Sequence, residues 1–285
     1  MKHLKEIIRL LASHKTYIYY SLGYGFSTLI VPLGVQFLVN NLALSGIWLN
    51  TTAFILFIMI GLVLSQAIKH SQLVIVESLQ REIFCIEIAH WKDFKKQEFS
   101  QYYFEILNLL KSFSKSYSNI IELCLVMFFG LLTIVIFHPA FLPIAALLIF
   151  TIYQMYISSA PALKSSIKES DEKYKIFDKI SNQQTIQDSD IRSFLSARDN
   201  HFKFIRRNSF KICGLIVVIQ VLLLTLGCYL IQINQLSIGQ LVSAEIIISG
   251  IFIPLSKLPL TLEAIYDYET SKFKIDKAIA GEVNE

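Results

Sequence analysis

Residues 117–160 read YSNIIELCLVMFFGLLTIVIFHPAFLPIAALLIFTIYQMYISSA, and a single charged side chain, Glu122, falls within them. A helix that crosses a bilayer takes about 20 mostly apolar residues, so this stretch is long enough for two. Pro139 and Pro143 divide it. Proline removes a backbone donor and drives the residue before it out of the helical region, which suits a tight reversal. The reading is a span over residues 117–137 and a second over 141–160. Outward from this pair, residues 17–41, 52–68, 212–233 and 238–262 have the same character, which makes six. The whole chain agrees: 285 residues, 54% hydrophobic and 17% charged, with mean hydropathy +0.52, where a soluble domain has about 45 to 50% apolar and about 25% charged residues. Disorder, solenoid and collagen-like chains are excluded. The expected fold class is an all-α integral membrane protein.

Placement of charge gives the orientation. All 26 Lys and Arg fall in four segments: before the first span (Lys2, Lys5, Arg9, Lys15), between spans two and three, between spans four and five, and near or beyond the end of span six. The other three connections carry none. By the positive-inside rule both termini and the two long loops are cytoplasmic. These loops, residues 69–115 and 164–211, are nearly equal in length. Each mixes charge with apolar residues at helical spacing, Leu79, Ile83, Ile86 and His90 in one, Phe194, Leu195, Phe202 and Ile205 in the other. Helices that continue out of the membrane as two hairpins are expected, with apices roughly 30 Å into the cytoplasm at 1.5 Å rise per residue. Residues 1–16 place Leu4, Ile7, Ile8 and Leu11 on one face and read as an interfacial helix rather than a cleaved signal; residues 266–285 read as a cytoplasmic tail.

Other chemistries find little support. Cys85, Cys124, Cys213 and Cys228 are far apart, and no Cys/His spacing fits a zinc site. The basic residues are explained by topology, so no nucleic-acid partner is indicated. No nucleophile and base come together in the sequence, and an enzyme is not expected.

Several segments together resemble the six-helix transmembrane domain of ATP-binding cassette (ABC) exporters of the toxin and peptide kind. They are PLGVQFLVN at 32–40 with Asn41 and a short outer loop, VESLQREIF at 76–84, LSIGQLVSAE at 236–245, and AIYD at 264–267 after a proline-containing stretch. The resemblance implies residues 17–265 as one such domain, in a homodimer of two six-helix halves around a central pathway, in a bacterial-type inner membrane. It also implies coupling helices at the loop tips that dock on ATPase subunits: Phe94, Lys95, Lys96, Gln97, Glu98 and Phe99 at the first, Gln183, Gln184, Thr185, Ile186, Gln187, Asp188 and the following residues to Asp190 at the second. A phosphate-binding loop needs GxxxxGK[ST], and none of the eleven glycines begins it. ATP and Mg are therefore expected on a separate partner ATPase, with no cofactor on this chain and a periplasmic adaptor as a further partner.

Within the spans, ionisable groups are costly, roughly 2.5 to 3.5 kcal/mol for a central Asp on the insertion scale, and tend to face an interior. Glu245 is followed at helical spacing by Ser249, Phe252 and Ser256, a mixed face that either lines a pathway or locks the bundle through a hydrogen bond. Glu122 lies nearer the cytoplasmic edge, within reach of water or a lysine. Gln36, Asn40, Gln66, Gln154 and Gln220 read as interhelical hydrogen-bond partners. Pro254 and Pro259 predict a kink in span six, as a hinge for gating or as a static bend. Beside the exporter subunit stand two other readings, a transport-silent scaffold or sensor with the same fold, and a secondary transporter driven through Glu245.

Overall fold

The computed structural model describes residues 15–44, 48–89, 99–157, 160–181 and 183–279. Among them are nine α-helices and no strand: α1 Lys15–Ser27, α2 Ile30–Leu44, α3 Trp48–Ala89, α4 Phe99–Phe137, α5 Leu142–Ile157, α6 Ala160–Ser181, α7 Asp188–Gln232, α8 Ile238–Ser256 and α9 Leu258–Ile279. Six helical stretches are long and apolar enough to cross a membrane, formed by α1 with α2, α3, α4, α5 with the turn before it, α7, and α8 with α9. The chain is thus an all-α, multi-pass membrane protein. Of the interfacial helix expected over residues 1–16, residues 1–14 lie outside the described part, as do the last residues, 280–285, while Lys15 and Thr16 open α1; the tail reading otherwise falls on α9, which runs unbroken to Ile279.

Three helices are far longer than a bilayer requires. α3, α4 and α7 have 42, 39 and 45 residues, or roughly 58 to 68 Å at 1.5 Å per residue, about twice the hydrocarbon thickness. Their extensions meet α6 and α9 on one side of the membrane, where α9 lies along α4 and α6 pairs with α7. The apolar core divides accordingly. One cluster lies among the spans, with Ile134, Phe141, Ile144, Leu148, Ile219, Leu223, Ile248 and Ile251 buried. A second holds the arms, where Val76, Leu79 and Ile83 of α3 meet Ile106, Leu109 and Phe113 of α4 and Tyr268 and Ile275 of α9.

The arm faces differ in part from the sequence pattern. Leu79 and Ile83 are buried, but Ile86 is exposed. On α7 the buried line is Ala197, His201, Ile205 and Asn208, while Leu195 and Phe202 are exposed. The inner side of this arm is polar because it faces charged partners on α6 and α9, described below.

The first and last spans are both broken. In span one, Ser27 Oγ and Thr28 Oγ1 donate to the carbonyls of Tyr24 and Gly25 at 2.8 and 2.7 Å, and Pro32 cannot donate to the carbonyl of Thr28. Side-chain competition and a missing donor together part α1 from α2. In span six the helix is interrupted at Lys257, between Pro254 and Pro259, where the two prolines are expected to disturb it. The reversal at Pro139 is a 3-10 turn, Pro139–Phe141, capped by His138, whose Nδ1 accepts from the Ala140 N–H at 3.1 Å.

At the far end of the bundle, α8 is tied to α2. Ser237 caps α8 and exchanges hydrogen bonds with Gln240, and the Gly239 N–H donates to Asn40 Oδ1 at 3.2 Å. A Cβ on Gly239 would lie 2.6 Å from the backbone oxygen of Gln36 and against Asn40. Gly239→Ala is therefore expected to lower stability by about 1 to 3 kcal/mol through overpacking, read as an earlier thermal midpoint in detergent. An unchanged midpoint would show that these helices do not approach this closely.

Candidate functional site

Just past the last span, α9 carries Glu263, Asp267, Thr270, Ser271 and Lys274, spaced so that all five share one helical face. On α6, Ser166, Glu169, Ser170 and Lys173 repeat the same period, and Arg198 and His201 of α7 are three residues apart. Between α4, α6, α7 and α9 these side chains, apart from Lys274 and His201, join Glu105 and Asn108 of α4 in lining a polar cavity of about 290 Å³. It lies in the arms, beyond the residue-262 end of the membrane-crossing part of span six.

Alternating charges run across the cavity wall. Arg198 pairs with Glu169 at 2.8 Å and with Glu263 at 3.3 Å, joining α7 to α6 and α9. His201, buried, places Nδ1 2.6 Å from the other oxygen of Glu169. Lys274 reaches Asp171 at 2.9 Å and Ser170 at 2.8 Å on α6, and Glu105 of α4 at 3.7 Å; the second oxygen of Glu105 accepts from Ser271 Oγ at 2.6 Å. The Lys274 ammonium also lies over the Tyr174 ring, 4.2 Å from its centre. On the opposite side of α9, Lys272 pairs with Glu87 of α3 at 2.8 Å. α9 is thus bonded through charge to every helix of the arms. Removing one member of a buried pair leaves an uncompensated charge, a cost of about 3 to 5 kcal/mol.

Protonation follows from these neighbours. Burial raises the Glu169 carboxyl, but its hydrogen bonds from His201 and Arg198 outweigh that and hold it below the usual carboxylate range. Tyr174 is pushed up by burial and by Glu105. Asp267 opens onto the cavity, yet the protein packed around it and the like charge of Glu263 push its carboxyl up to about 6.

The second loop tip is a well-defined turn. Gln183 takes a left-handed conformation, φ 54°, and the N–H groups of Gln183 and Gln184 donate to the carbonyls of Ile180 and Lys179, which closes α6. Asp190 then receives the Gln187 N–H at 3.0 Å and pairs with Lys179 at 2.7 Å, a lysine contact that, with this backbone bond, keeps its carboxyl below the ordinary range. Gln183, Gln184, Thr185, Ile186, Gln187 and Asp188 are all exposed. At the first tip, Phe94, Lys95, Lys96, Gln97 and Glu98 lie outside the described residues, and Phe99 is the first residue of α4.

Inside the membrane, Glu245 accepts a hydrogen bond from Gln220 of α7, and its other oxygen is buried without a partner among the described residues. Ser249 and Ser256 are exposed in line with Ile253 and Leu260, a stripe of mixed polarity down the uncovered side of α8 and α9. Pro254 and Pro259 are buried behind it. Glu122 pairs with Lys69 at 3.0 Å, with the Tyr24 hydroxyl 3.4 Å away. All four cysteines are free, and among the described residues no group of three His, Cys, Asp or Glu side chains is placed to hold a metal ion.

The structure brings the second tip and the span-six residues to opposite ends of the α7 and α8–α9 pair, and places between them the charge ladder that the sequence reading did not single out. Its signal was present as polar residues recurring at helical spacing on α6 and α9, immediately beyond an apolar span.

Because Asp267 has a higher pKa in the folded chain than the ordinary 3.8, the folded state holds its proton over a range where the unfolded chain has lost it. Stability attributable to this group therefore falls as pH rises from about 4 to about 6 and is flat above. Asp267→Asn is expected to melt higher than the native chain near neutral pH, with the two converging below about pH 4. A variant that melts lower at neutral pH would show that the Asp267 charge is favourable in place.

No protein-family model matches the chain, and no curated protein matches it.

Proposed function

We propose that this chain is the transmembrane subunit of an export-type ABC transporter, which forms the translocation pathway with a second copy of itself in the cytoplasmic membrane and couples to an ATPase that this sequence does not contain. The observation that carries the reading is the set of three extensions from α3, α4 and α7, stiff helices about twice the length a bilayer needs. A channel or scaffold confined to the membrane has no use for such levers. Their orientation toward the cytoplasm follows from the distribution of Lys and Arg.

Coupling in this reading runs from tip to span. The exposed tip from Gln183 to Asp188 docks on the ATPase. Displacement of α6 and α7 passes through Glu169, Arg198 and Glu263 into α9, and the break at Lys257 lets α8 change its angle to α9. Ser249, Ile253, Ser256 and Leu260 face the pathway, with Glu245 held against Gln220 at its outer end. Two discrete packings of one bundle against another are the general means by which such sites open alternately. The cargo, a peptide, protein or lipid-like molecule, is the one the resemblance implies.

The test is purification from native membranes in mild detergent, with identification of every co-purifying chain and an ATPase assay on the complex. A phosphate-loop protein in equal amount, whose activity falls on changing Gln184, Thr185 and Ile186 to alanine, is the expected result. A dimer that purifies alone, with no ATPase restored by candidate partners, would leave a transport-silent scaffold instead. Replacing Pro254 and Pro259 together by alanine is expected to reduce ATP-dependent transport more than folding. Normal transport by that double variant would remove the hinge.

A further inference from the structure

Two sets stand out among the cations of α6 and α7. Toward the tip and α9, Lys175, Lys179 and Arg198 are each paired with a carboxylate. Nearer the membrane, Lys168, Lys203 and Arg207 line an open groove of about 510 Å³ between the same two helices, and no carboxylate lines it with them. Among the described residues none of these three forms an ion pair; Lys203 donates only to the neutral Asn200 Oδ1, at 3.0 Å. The Arg207 guanidinium lies over the ring of Phe204, 5.4 Å from its centre, and both residues line the groove. Ser165 adds a hydroxyl to the wall.

Depth decides what fills it. The apolar part of α7 begins at Ile212, so Arg207 and Lys203 lie roughly 8 and 14 Å from the hydrocarbon edge at 1.5 Å per residue, and Lys168 roughly 12 Å beyond Ala160. The polar headgroup zone extends about 5 to 8 Å from that edge on each side. Long lysine and arginine side chains cover the remaining distance. Phe210, one of the most exposed large side chains of the protein, stands between the cations and the span, at the depth where aromatic rings anchor a helix at the interface.

We propose that this groove binds the phosphate headgroup of an anionic phospholipid from the leaflet on the arm side. Carboxylates pair with Lys175, Lys179 and Arg198; beyond the field of Glu172 felt by Lys168, the groove cations take their counter-charge from the membrane. The lipid phosphate sits among Lys168, Lys203 and Arg207, its chains pass along Phe210 into the bilayer, and the bound lipid bridges α6 and α7 just where they enter the membrane. This inference rests on the six spans and is independent of transport.

The test uses the full chain in detergent and compares retention of phosphatidylglycerol and phosphatidylcholine by native mass spectrometry, followed by titration into nanodiscs of each lipid. The native chain is expected to prefer phosphatidylglycerol. The triple variant Lys168→Gln, Lys203→Gln, Arg207→Gln should lose that preference by a factor on the order of tenfold to a hundredfold, since each cation near an anionic surface contributes about fivefold. A control variant, Arg81→Gln with Lys175→Gln, removes two exposed cations elsewhere and should keep it; elution volume and melting in zwitterionic detergent verify that both variants fold. Equal loss in the control, or no preference in the native chain, overturns the proposal. Displacement of the lipid by millimolar inorganic phosphate would also overturn it, making the groove a site for free phosphate. Should the triple variant misfold, Lys203→Gln alone is read against the same control, and an unchanged preference there counts against the groove.

Discussion

A helix that leaves the bilayer must exchange lipid for protein or water along its whole surface, and α9 does so by turning charge toward every neighbour. Lys272 binds Glu87, Lys274 binds Asp171 and approaches Glu105, and Glu263 binds Arg198. The arms would otherwise be four amphipathic rods with a single apolar seam, that of Leu79, Ile106 and Phe113. The seam alone allows α6 and α7 to slide along α4 and α9. Charged pairs at defined positions along α9 fix that register, the use of buried polar groups with the strongest general support.

The spans and the long arms were legible in the sequence because their signal is one of length and of charge placement. A run such as residues 117–160 admits little else, and segregated Lys and Arg need no partner to be understood. The charge ladder was not legible in the same way. A glutamate on a helix beyond the membrane reads as a solvated side chain until the helix facing it is known, and Glu169 and Arg198 lie 29 residues apart with a turn between them. For the same reason Leu195 and Phe202 read as an inner face while His201 and Asn208 occupy it. The break after Ser27 was missed because apolar length outweighed the local competition of Ser27, Thr28 and Pro32, whereas two prolines close together in span six made its break plain.

Polar residues inside the spans divide by whether a partner lies across from them. Asn40 meets a backbone N–H at the start of α8 and Gln220 meets Glu245, both as interhelical bonds, and Glu122 meets Lys69 where the arm begins. Ser249 and Ser256 follow Glu245 at helical spacing but are exposed, with no helix packed over them among the described residues. Under the proposed function, a face of this kind, polar enough to hold water and apolar enough to remain helical, is the one left for a second subunit or a transported molecule.

The two apolar clusters also differ in what holds them together. Within the bilayer, side chains leave one hydrocarbon medium for another, so packing and hydrogen bonds carry the association. The arm cluster of Leu79, Ile83, Ile106 and Phe113 is removed from water, and its cohesion carries the heat-capacity signature of apolar hydration. On cooling, that contribution weakens while the contacts among the spans do not. The arms are accordingly the cold-labile half of the molecule, and low temperature loosens the levers before it loosens the bundle they are attached to.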